Sequence, residues 1–358
     1  MHKKKLTVTP AWVFQTDQGD WFEPVLFRLL ESLRDSGKLT EAARAASISY
    51  RHAWNLLNRA ADLFGLPLVA MQKGHGTKLT PLGEKLLWAE QRVRARLGPQ
   101  IDSMASEFND QIQQILAGAH RVLRMHASHG YAVSLLPEFS DSVEINLQYR
   151  NPEEALSALN RGDCDVSSFH FPNEPALAEQ VLKHYQPHLR RNEFRLIRFV
   201  TRREGLMMRS DLMPRVESFK DLVDTQARYI GRDRQSGTRL LSNLLLAQAG
   251  YSEKSINRMP QQELTHTAVA AFVAAGMADV GFGVEAAARQ FNLEFIHMVS
   301  EHYLLLCRKD RLQDPNLQHL IRLMRSEPFI ERLHQVPGYA PDRPGDVITF
   351  DQLIAEDG

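Results

Sequence analysis

The chain has 358 residues, 43% of them hydrophobic, and its 43 Lys and Arg balance 43 Asp and Glu. That length suits a domain of about 100 residues joined to a larger module that itself has two lobes. The two cysteines, Cys164 and Cys307, argue against a disulfide framework and a cysteine-based metal site, and they favour a reducing compartment. Because no apolar run approaches about 18 residues and no hydrophobic signal core follows Met1, we expect a soluble, cytoplasmic protein.

The balanced total hides an uneven distribution of charge. Residues 1–100 hold fifteen Lys and Arg against nine Asp and Glu, a net charge of +6, so the remainder carries −6. A basic segment on an acidic body is typical of a protein that contacts nucleic acid at one end only.

The first predicted helix lies between Trp21 and Leu33. Its apolar residues recur every three or four positions, as in an amphipathic helix: Phe22, Val25, Leu26, Leu29, Leu30 and Leu33. Upstream of it, we expect a short strand or hairpin over residues 6–14.

Residues 39–60 predict two helices joined by a short turn. In the first helix, Thr40 is expected to cap the first turn, and the small apolar stripe consists of Leu39, Ala42, Ala43 and Ala46. Ser49 is the expected N-cap of the second helix, which runs from Tyr50 to Ala60. Its apolar face should comprise Ala53, Trp54, Leu56, Leu57 and Ala60.

The remaining side chains of this segment are of the kinds that reach base edges and phosphates from the start of a recognition helix. We therefore predict DNA contacts from Thr40, Ser49, Tyr50, Arg51, His52 and Asn55. Beyond a strand-like run over residues 67–71, glycines and basic residues over 72–78 predict a hairpin wing whose Lys73 and Lys78 contact phosphates. Thr80 followed by Pro81 predicts the start of another helix.

The segments 47–55, 64–69 and 79–83 together resemble the LysR-type regulators, and most closely the head of the molybdate-responsive regulators. The resemblance covers about 80 residues in the same order and includes the Tyr50-x-x-Ala53-Trp54 core of the recognition helix. It implies a winged helix-turn-helix DNA-binding domain over residues 1–80. The alternative is a helical hairpin that packs on something else.

A long linker helix is predicted over residues 81–117. One apolar seam runs along it: Leu82, Leu86, Val93, Leu97, Ile101, Met104, Phe108, Ile112 and Ile115. Because palindromic DNA half-sites need two heads, we expect this seam to form a homodimer or homotetramer. Gly98-Pro99 is expected to kink or divide the helix. The alternative is a helix that packs along its own C-terminal domain.

Beyond residue 118, short β runs over 122–127, 143–149 and 165–169 alternate with helices, which predicts an α/β domain over 118–358. A helix, a glycine, an Asp and a strand occur in that order twice, over residues 152–166 and 266–283. This part resembles the periplasmic-binding-protein fold related to molybdate-binding proteins and LysR effector domains. The resemblance rests on segments 159–166, 234–239 and 278–283. It implies two lobes, crossovers near Phe199 and Phe295, and a hinged effector pocket.

Two loops of this domain place hydroxyls and backbone N–H groups at predicted helix starts, which favours a small anion. The predicted ligand-binding residues are Ser128, His129, His170, Arg234, Ser236, Gly237 and Thr238. Arg234 supplies charge, and His170 closes the third strand. The resemblance proposes molybdate or tungstate, with a formate-like carboxylate next. Each hydroxyl is alternatively a plain helix cap, and His170 a structural residue.

We therefore expect a ligand-responsive DNA-binding transcriptional regulator whose partners are an operator and a small anionic effector. No catalytic residues, cofactor or metal site are predicted: Gly281-Phe282-Gly283 lacks the third glycine of a dinucleotide loop, and His126 and His129 lack acidic or Cys partners at ligand spacing. Three alternatives stay open. They are an anion-binding protein whose head binds another protein, a regulator of a neutral metabolite pathway, and an enzyme that uses the cleft.

Overall fold

The computed structural model describes Val13, Gln15, Gly19 and residues 21–72, 76–117 and 122–357. The chain forms one compact unit over Thr9–Gly98 and another over Pro99–Gly358, so the division falls inside the predicted linker. The predicted strand over residues 6–14, apart from Val13, and the predicted phosphate contact Lys73 lie outside the described residues.

The described part of the N-terminal unit contains three helices, a two-stranded hairpin and the start of a fourth helix. These elements are α1 (Val25–Ser36), α2 (Leu39–Ala45), α3 (Tyr50–Phe64), β1 (Val69–Gln72), β2 (Gly76–Leu79) and α4 (Pro81–Ala117). Their buried core includes Leu29, Leu30, Leu33, Ala42, Ala53 and Leu56. This is the predicted winged helix-turn-helix, with the antiparallel β1–β2 hairpin as its wing.

The ends of these helices follow local capping chemistry. Ser49 caps α3, since its Oγ accepts a hydrogen bond from the His52 backbone N–H at 3.2 Å. Thr40 does not cap α2 as predicted, because Lys38 occupies the N-cap position and Thr40 lies exposed within the first turn. Helix α1 begins at Val25 rather than Trp21, with Pro24 at its N-cap.

The turn between α1 and α2 touches the wing through backbone atoms. The Thr77 N–H donates to the Gly37 carbonyl at 2.8 Å. A Cβ at Gly76 would lie 2.4 Å from that same carbonyl oxygen, and Gly76 has φ +84°. Glycine is therefore required at position 76, where the wing starts its return strand.

The C-terminal unit is an α/β structure around one sheet. Its strands are β3 (Val122–Ala127), β4 (Glu144–Tyr149), β5 (Val166–Pro172), β6 (Phe194–Met208), β7 (Tyr229–Arg232), β8 (Arg258–Glu263), β9 (Val280–Val284), β10 (Glu294–Arg308), β11 (Tyr339–Pro341) and β12 (Val347–Ile348). Its helices are α5 (Pro152–Arg161), α6 (Pro175–Tyr185), α7 (Phe219–Thr225), α8 (Gly237–Gln248), α9 (His266–Ala274), α10 (Glu285–Gln290), α11 (Pro315–Met324), α12 (Glu327–His334) and α13 (Phe350–Asp357).

Two lobes are joined by the long strands β6 and β10. The strand order is β4-β3-β5-β10-β6-β9-β7-β8, with β11 and β12 also paired to β6. We call the part built on parallel β3, β4 and β5 the first lobe, and the part built on parallel β7, β8 and β9 the second lobe. Strands β6 and β10 pair antiparallel along both lobes, which confirms the predicted crossovers near Phe199 and Phe295.

Gly98-Pro99 is predicted to kink or divide the helix; α4 continues through Pro99 without a break, so the division is wrong and the kink stays a prediction. Beyond Pro99 its polar face covers the edge strand β4. Ser103 Oγ accepts from the Tyr149 N–H at 2.9 Å, and Ser106 Oγ accepts from the Leu147 N–H at 3.1 Å. The part of α4 beyond Pro99 therefore packs on its own C-terminal domain, as the alternative interpretation of the linker expected. Its apolar residues Met104, Phe108 and Ile112 remain exposed, at 56%, 50% and 36%.

Candidate functional site

The first candidate site is the exposed face of α3. Ala53, Leu56, Leu57 and Ala60 are buried, as predicted. The exposed residues follow at helical spacing on the other side: Tyr50, Arg51, Trp54, Asn55 and Asn58. The prediction that Trp54 belongs to the apolar face is wrong, because its side chain is 37% exposed. The face thus presents a guanidinium, a phenol, an indole and two amides.

The other predicted DNA-contacting residues are arranged less uniformly. His52 turns toward its own unit, where its Nε2 lies 3.6 Å from Glu23 Oε2. Lys78 is exposed on strand β2 of the wing, and Thr40 is exposed on α2. Ser49 is exposed, although its hydroxyl already caps the helix.

The second candidate site lies where β6 and β10 cross between the lobes, and it is centred on a buried arginine. Arg202 is 2% exposed, its Nε donates to Glu301 Oε1 at 2.6 Å, and its Nη2 lies 2.8 Å from Glu204 Oε1. Burial and the neighbouring Glu301 raise the pKa of Glu204. Burial also opposes the charged form of Glu301, but Arg202 outweighs that effect and holds the pKa of Glu301 below its usual range.

The second lobe reaches this cluster through Thr238 and His266. Thr238 Oγ1 lies 3.5 Å from Glu204 Oε1 and 3.5 Å from His266 Nε2. The Val284 backbone N–H donates to His266 Nδ1 at 3.3 Å, which assigns the proton of the neutral ring to Nε2. Arg232, at the end of β7, is buried and donates from Nη2 to the Leu264 carbonyl at 2.7 Å.

Histidines of the cluster carry no positive charge at neutral pH. Burial, with added repulsion from Arg202 and Arg232, lowers the pKa of His129 to about 3 and that of His170 to about 4. The same causes lower the pKa of His266 well below its ordinary value. Burial lowers the pKa of Arg232 to about 10, which leaves its guanidinium charged at pH 7. Arg202 and Arg232 are therefore the cationic groups of this cluster.

Several buried polar atoms around the crossing complete no hydrogen bond among the described residues. They include Ser128 Oγ, His129 Nδ1, His170 Nδ1 and Nε2, Arg202 Nη1, Glu204 Oε2, Arg232 Nε and the Tyr339 hydroxyl. His170 Nδ1 lies 3.4 Å from Glu301 Oε1, but its alignment is poor for a hydrogen bond. Buried polar atoms are normally paired, so a concentration of unpaired ones from both lobes is typical of a polar binding site.

The predicted ligand-binding residues divide into two groups. Ser128, His129, His170 and Thr238 contribute to the buried cluster. Ser236 caps α8, since its Oγ accepts a hydrogen bond from the Arg239 N–H at 3.1 Å. Its hydroxyl is therefore a helix cap, which was the alternative to ligand binding. Gly237 begins α8, beside a water-sized cavity of about 10 Å³ that Glu301 and His170 also line.

Arg234, the predicted source of charge, is exposed, whereas Arg232 two residues earlier is buried in the cluster. Five further residues of the cluster are not predicted from the sequence: Arg202, Glu204, His266, Glu301 and Tyr339. One available signal was the placement of charged residues inside long apolar strands, as in Phe194–Met208 and Glu294–Arg308. A buried charge is costly and is retained where it is paired or where it binds something.

Residues 135–325 match the PBP superfamily domain, PBP_like. The chain is 26% identical over 205 residues to the uncharacterised protein YvgK of Bacillus subtilis (strain 168), which is 56% of this chain and 64% of that protein. It is 28% identical over 126 residues to the molybdenum-pterin-binding protein MopB of Rhodobacter capsulatus, 34% of this chain and 46% of that protein. The chain therefore spans less than two thirds of the length of either relative.

An uncharacterised protein from the 5′ region of the ferredoxin 2Fe-2S gene of Clostridium pasteurianum is 31% identical over 101 residues, 28% of this chain and 89% of that protein. Among solved structures, CbnR, a LysR family transcriptional regulator, is similar at 16% identity and a TM-score of 0.41, with 84% of this chain and 99% of that chain covered. Among the described residues, none of the helices combines the length and the apolar character needed to cross a membrane.

Proposed function

We propose that this chain, which belongs to the PBP superfamily and shares a family with the Clostridium pasteurianum protein, is a DNA-binding transcriptional regulator that responds to a small oxyanion. Molybdate or tungstate is the favoured effector, ahead of a formate-like carboxylate. The observation that carries the proposal is the buried cluster around Arg202 and Arg232, to which both lobes contribute polar atoms without a hydrogen-bond partner among the described residues.

The hydrogen-bond donors of the cluster favour a compact anion. Its two guanidiniums face the carboxylates of Glu301 and Asp233, the latter 3.9 Å from Arg232 Nη2, while Glu204 has a raised pKa and the three histidines are neutral. An oxyanion accepts hydrogen bonds through every oxygen and so suits several convergent N–H and O–H donors. The similarity to MopB, whose name describes molybdenum-pterin binding, supports placing the metal oxyanions first.

A ligand held by this cluster would favour the closed arrangement of the lobes. The first lobe contributes His129 and His170, the second contributes Thr238 and Arg232, and Arg202 belongs to the crossing strand β6. Direct bonds also join the lobes, since the Tyr131 hydroxyl donates to Gln290 Oε1 at 2.7 Å. An anion that contacts both lobes shifts the population toward closure by its differential affinity for the closed state.

The N-terminal unit supports the DNA-binding part of the proposal through its exposed α3 face and basic wing residue Lys78. Assembly as a homodimer or homotetramer through residues 81–117 is supported by the exposed apolar residues Met104, Phe108 and Ile112. Large exposed apolar side chains at helical spacing are typical of a helix that meets a second copy.

Thermal unfolding of the full-length protein with sodium molybdate, tungstate, formate and sulfate tests the effector part. Ligand at a hundredfold excess over Kd stabilises the native state by about 2.7 kcal/mol, so molybdate should raise Tm clearly. Arg232→Gln should abolish the rise, whereas the exposed Arg234→Gln serves as the matched control. If none of the four anions raises the Tm of the wild type, the oxyanion proposal is wrong. A rise without DNA binding would instead support an anion-binding protein whose N-terminal unit binds another protein.

A further inference from the structure

The C-terminal segment places an aromatic side chain at the lobe crossing. Strand β11 pairs antiparallel with β6, and Tyr339 is the direct partner of Arg202 in that register. Tyr339 lies beyond residues 135–325, the part of the chain that matches the superfamily. Its side chain is 6% exposed, so the ring is buried against the crossing strands.

Backbone and ionic contacts fix this segment on both sides of Tyr339. The Arg203 N–H donates to the Gly338 carbonyl at 2.9 Å, and the Asp342 N–H donates to the Phe199 carbonyl at 3.1 Å. The Asp342 carboxylate also accepts from Arg198 Nη1 at 2.9 Å. The position of the Tyr339 ring is therefore set before any ligand arrives, which is the property expected of a binding residue.

Two unpaired donors and one glycine meet at this point. The Tyr339 hydroxyl and Arg202 Nη1 are buried, and neither completes a hydrogen bond of acceptable geometry among the described residues. A Cβ built on Gly130 would lie 3.2 Å from Tyr303 Cε2 and 3.8 Å from each of these two donor atoms. Gly130 follows β3 in the loop that also contains Ser128 and His129. The space beside Gly130 is thus bordered by the Tyr303 ring, a phenol hydroxyl and a guanidinium.

We propose that the Tyr339 hydroxyl and Arg202 Nη1 form an oxygen-binding subsite of the effector site, with Gly130 leaving the space for the ligand oxygen. This inference rests on the proposed function and extends it to the C-terminal segment. Burial raises the pKa of Tyr339, so its neutral phenol donates a hydrogen bond to an anionic oxygen.

The subsite lies next to a contact between the lobes. The Tyr131 and Tyr339 rings have centroids 6.3 Å apart, and the Tyr131 hydroxyl lies 2.9 Å from Thr267 Oγ1 of the second lobe. An oxygen bound at Tyr339 would therefore be close to the residues that hold the lobes together. The C-terminal segment contributes to effector affinity and to closure at the same point.

Calorimetric titration of the full-length protein with sodium molybdate tests this inference. Tyr339→Phe removes only the hydroxyl and should weaken molybdate binding about tenfold or more, as expected for a lost hydrogen bond to a charged group. Gly130→Ala should weaken binding as well, because its methyl would project into the narrow space between the Tyr303 ring and the two donors. Tyr251→Phe in the second lobe, a half-buried tyrosine outside the cluster, is the matched control and should bind as the wild type does.

The outcomes separate the two proposals. If the wild type binds molybdate and either folded variant, Tyr339→Phe or Gly130→Ala, binds it equally well, the subsite is wrong and the proposed function stands. If the wild type binds no oxyanion, both are wrong. Circular dichroism of each variant verifies folding, and since the two substitutions lie on different elements, one folded variant suffices for the decision.

Discussion

Arg202 and Glu301 are direct cross-strand partners on β6 and β10, and the Arg202 Nε donates to Glu301 Oε1 at 2.6 Å. The strands that carry them are the connections between the lobes. The same guanidinium also contacts Glu204, so one buried cation holds two buried carboxyl groups in place on the strands that connect the lobes.

Removing Arg202 should destabilise the protein strongly. In Arg202→Gln, Glu301 loses its cationic partner, and breaking a buried pair in this way costs about 3 to 5 kcal/mol. Urea unfolding at pH 7 measures the loss. The neighbouring Arg203 has a half-exposed side chain that pairs with Glu285, so Arg203→Gln is the control and should lose about 1 kcal/mol or less. Equal losses in the two variants would contradict the role of Arg202.

The buried histidines predict a loss of stability in mild acid. His129, His170 and His266 have lowered pKa values, so between about pH 6.5 and pH 4 the unfolded chain binds protons that the folded chain does not. The free energy of unfolding should therefore fall as pH falls through that window. Glu204, with its raised pKa, acts in the opposite direction, but one carboxyl opposes three imidazoles.

Tm measured from pH 7.5 to pH 4.5 tests this expectation. The curve should decline steadily below about pH 6.5, and His170→Gln should make the decline shallower because one of the three groups is gone. A Tm that stays constant or rises over the same range would show that these imidazoles are not held neutral in the folded protein.

The start of α3 predicts a graded response of DNA binding to substitution. Tyr50→Ala and Arg51→Ala should each weaken binding to the specific sequence by about 1 to 3 kcal/mol, the usual value of a base contact. His52→Ala should have a smaller effect, because His52 faces Glu23 of its own unit. Fluorescence anisotropy with upstream DNA and with an unrelated duplex distinguishes specific from general loss. If Tyr50→Ala and Arg51→Ala both bind the specific DNA with wild-type affinity, the exposed face of α3 is not the DNA-reading surface.

The exposed apolar residues of α4 predict the oligomeric state. Met104→Glu combined with Phe108→Glu places two charges in an apolar interface, where each costs several kcal/mol unless it finds a partner. The variant should run as a monomer by light scattering. Glu107→Gln, at an exposed position of the same helix, should keep the wild-type mass. An unchanged mass in the double variant would show that assembly uses another surface.

Local signals were enough to predict most elements of this fold. The capping hydroxyl of Ser49, the glycine-bounded wing and the repeated helix-glycine-strand pattern all act within a few residues, and the structure contains each of them. The sequence predicts a cap at Thr40, whereas the N-cap residue of α2 is Lys38, which makes no side-chain capping hydrogen bond.

The centre of the effector site was not predictable in the same way. Arg202 and Glu301 are 99 positions apart, and only the register of β6 and β10 brings them together. Tyr339 reaches the cluster through a three-residue strand near the end of the chain. The sequence does not show that Arg232, two residues before the predicted Arg234, is the buried arginine.

The most direct test of the central claim is the affinity of the full-length protein for its upstream DNA, measured by anisotropy with and without saturating sodium molybdate. We expect molybdate to change the Kd for DNA by about fivefold or more, a typical coupling between two ligand sites, in the wild type and in Arg234→Gln. Arg232→Gln should bind the same DNA with a Kd that molybdate does not change. Identical Kd values with and without molybdate in the wild type would contradict the claim that an oxyanion in the lobe cluster controls DNA binding.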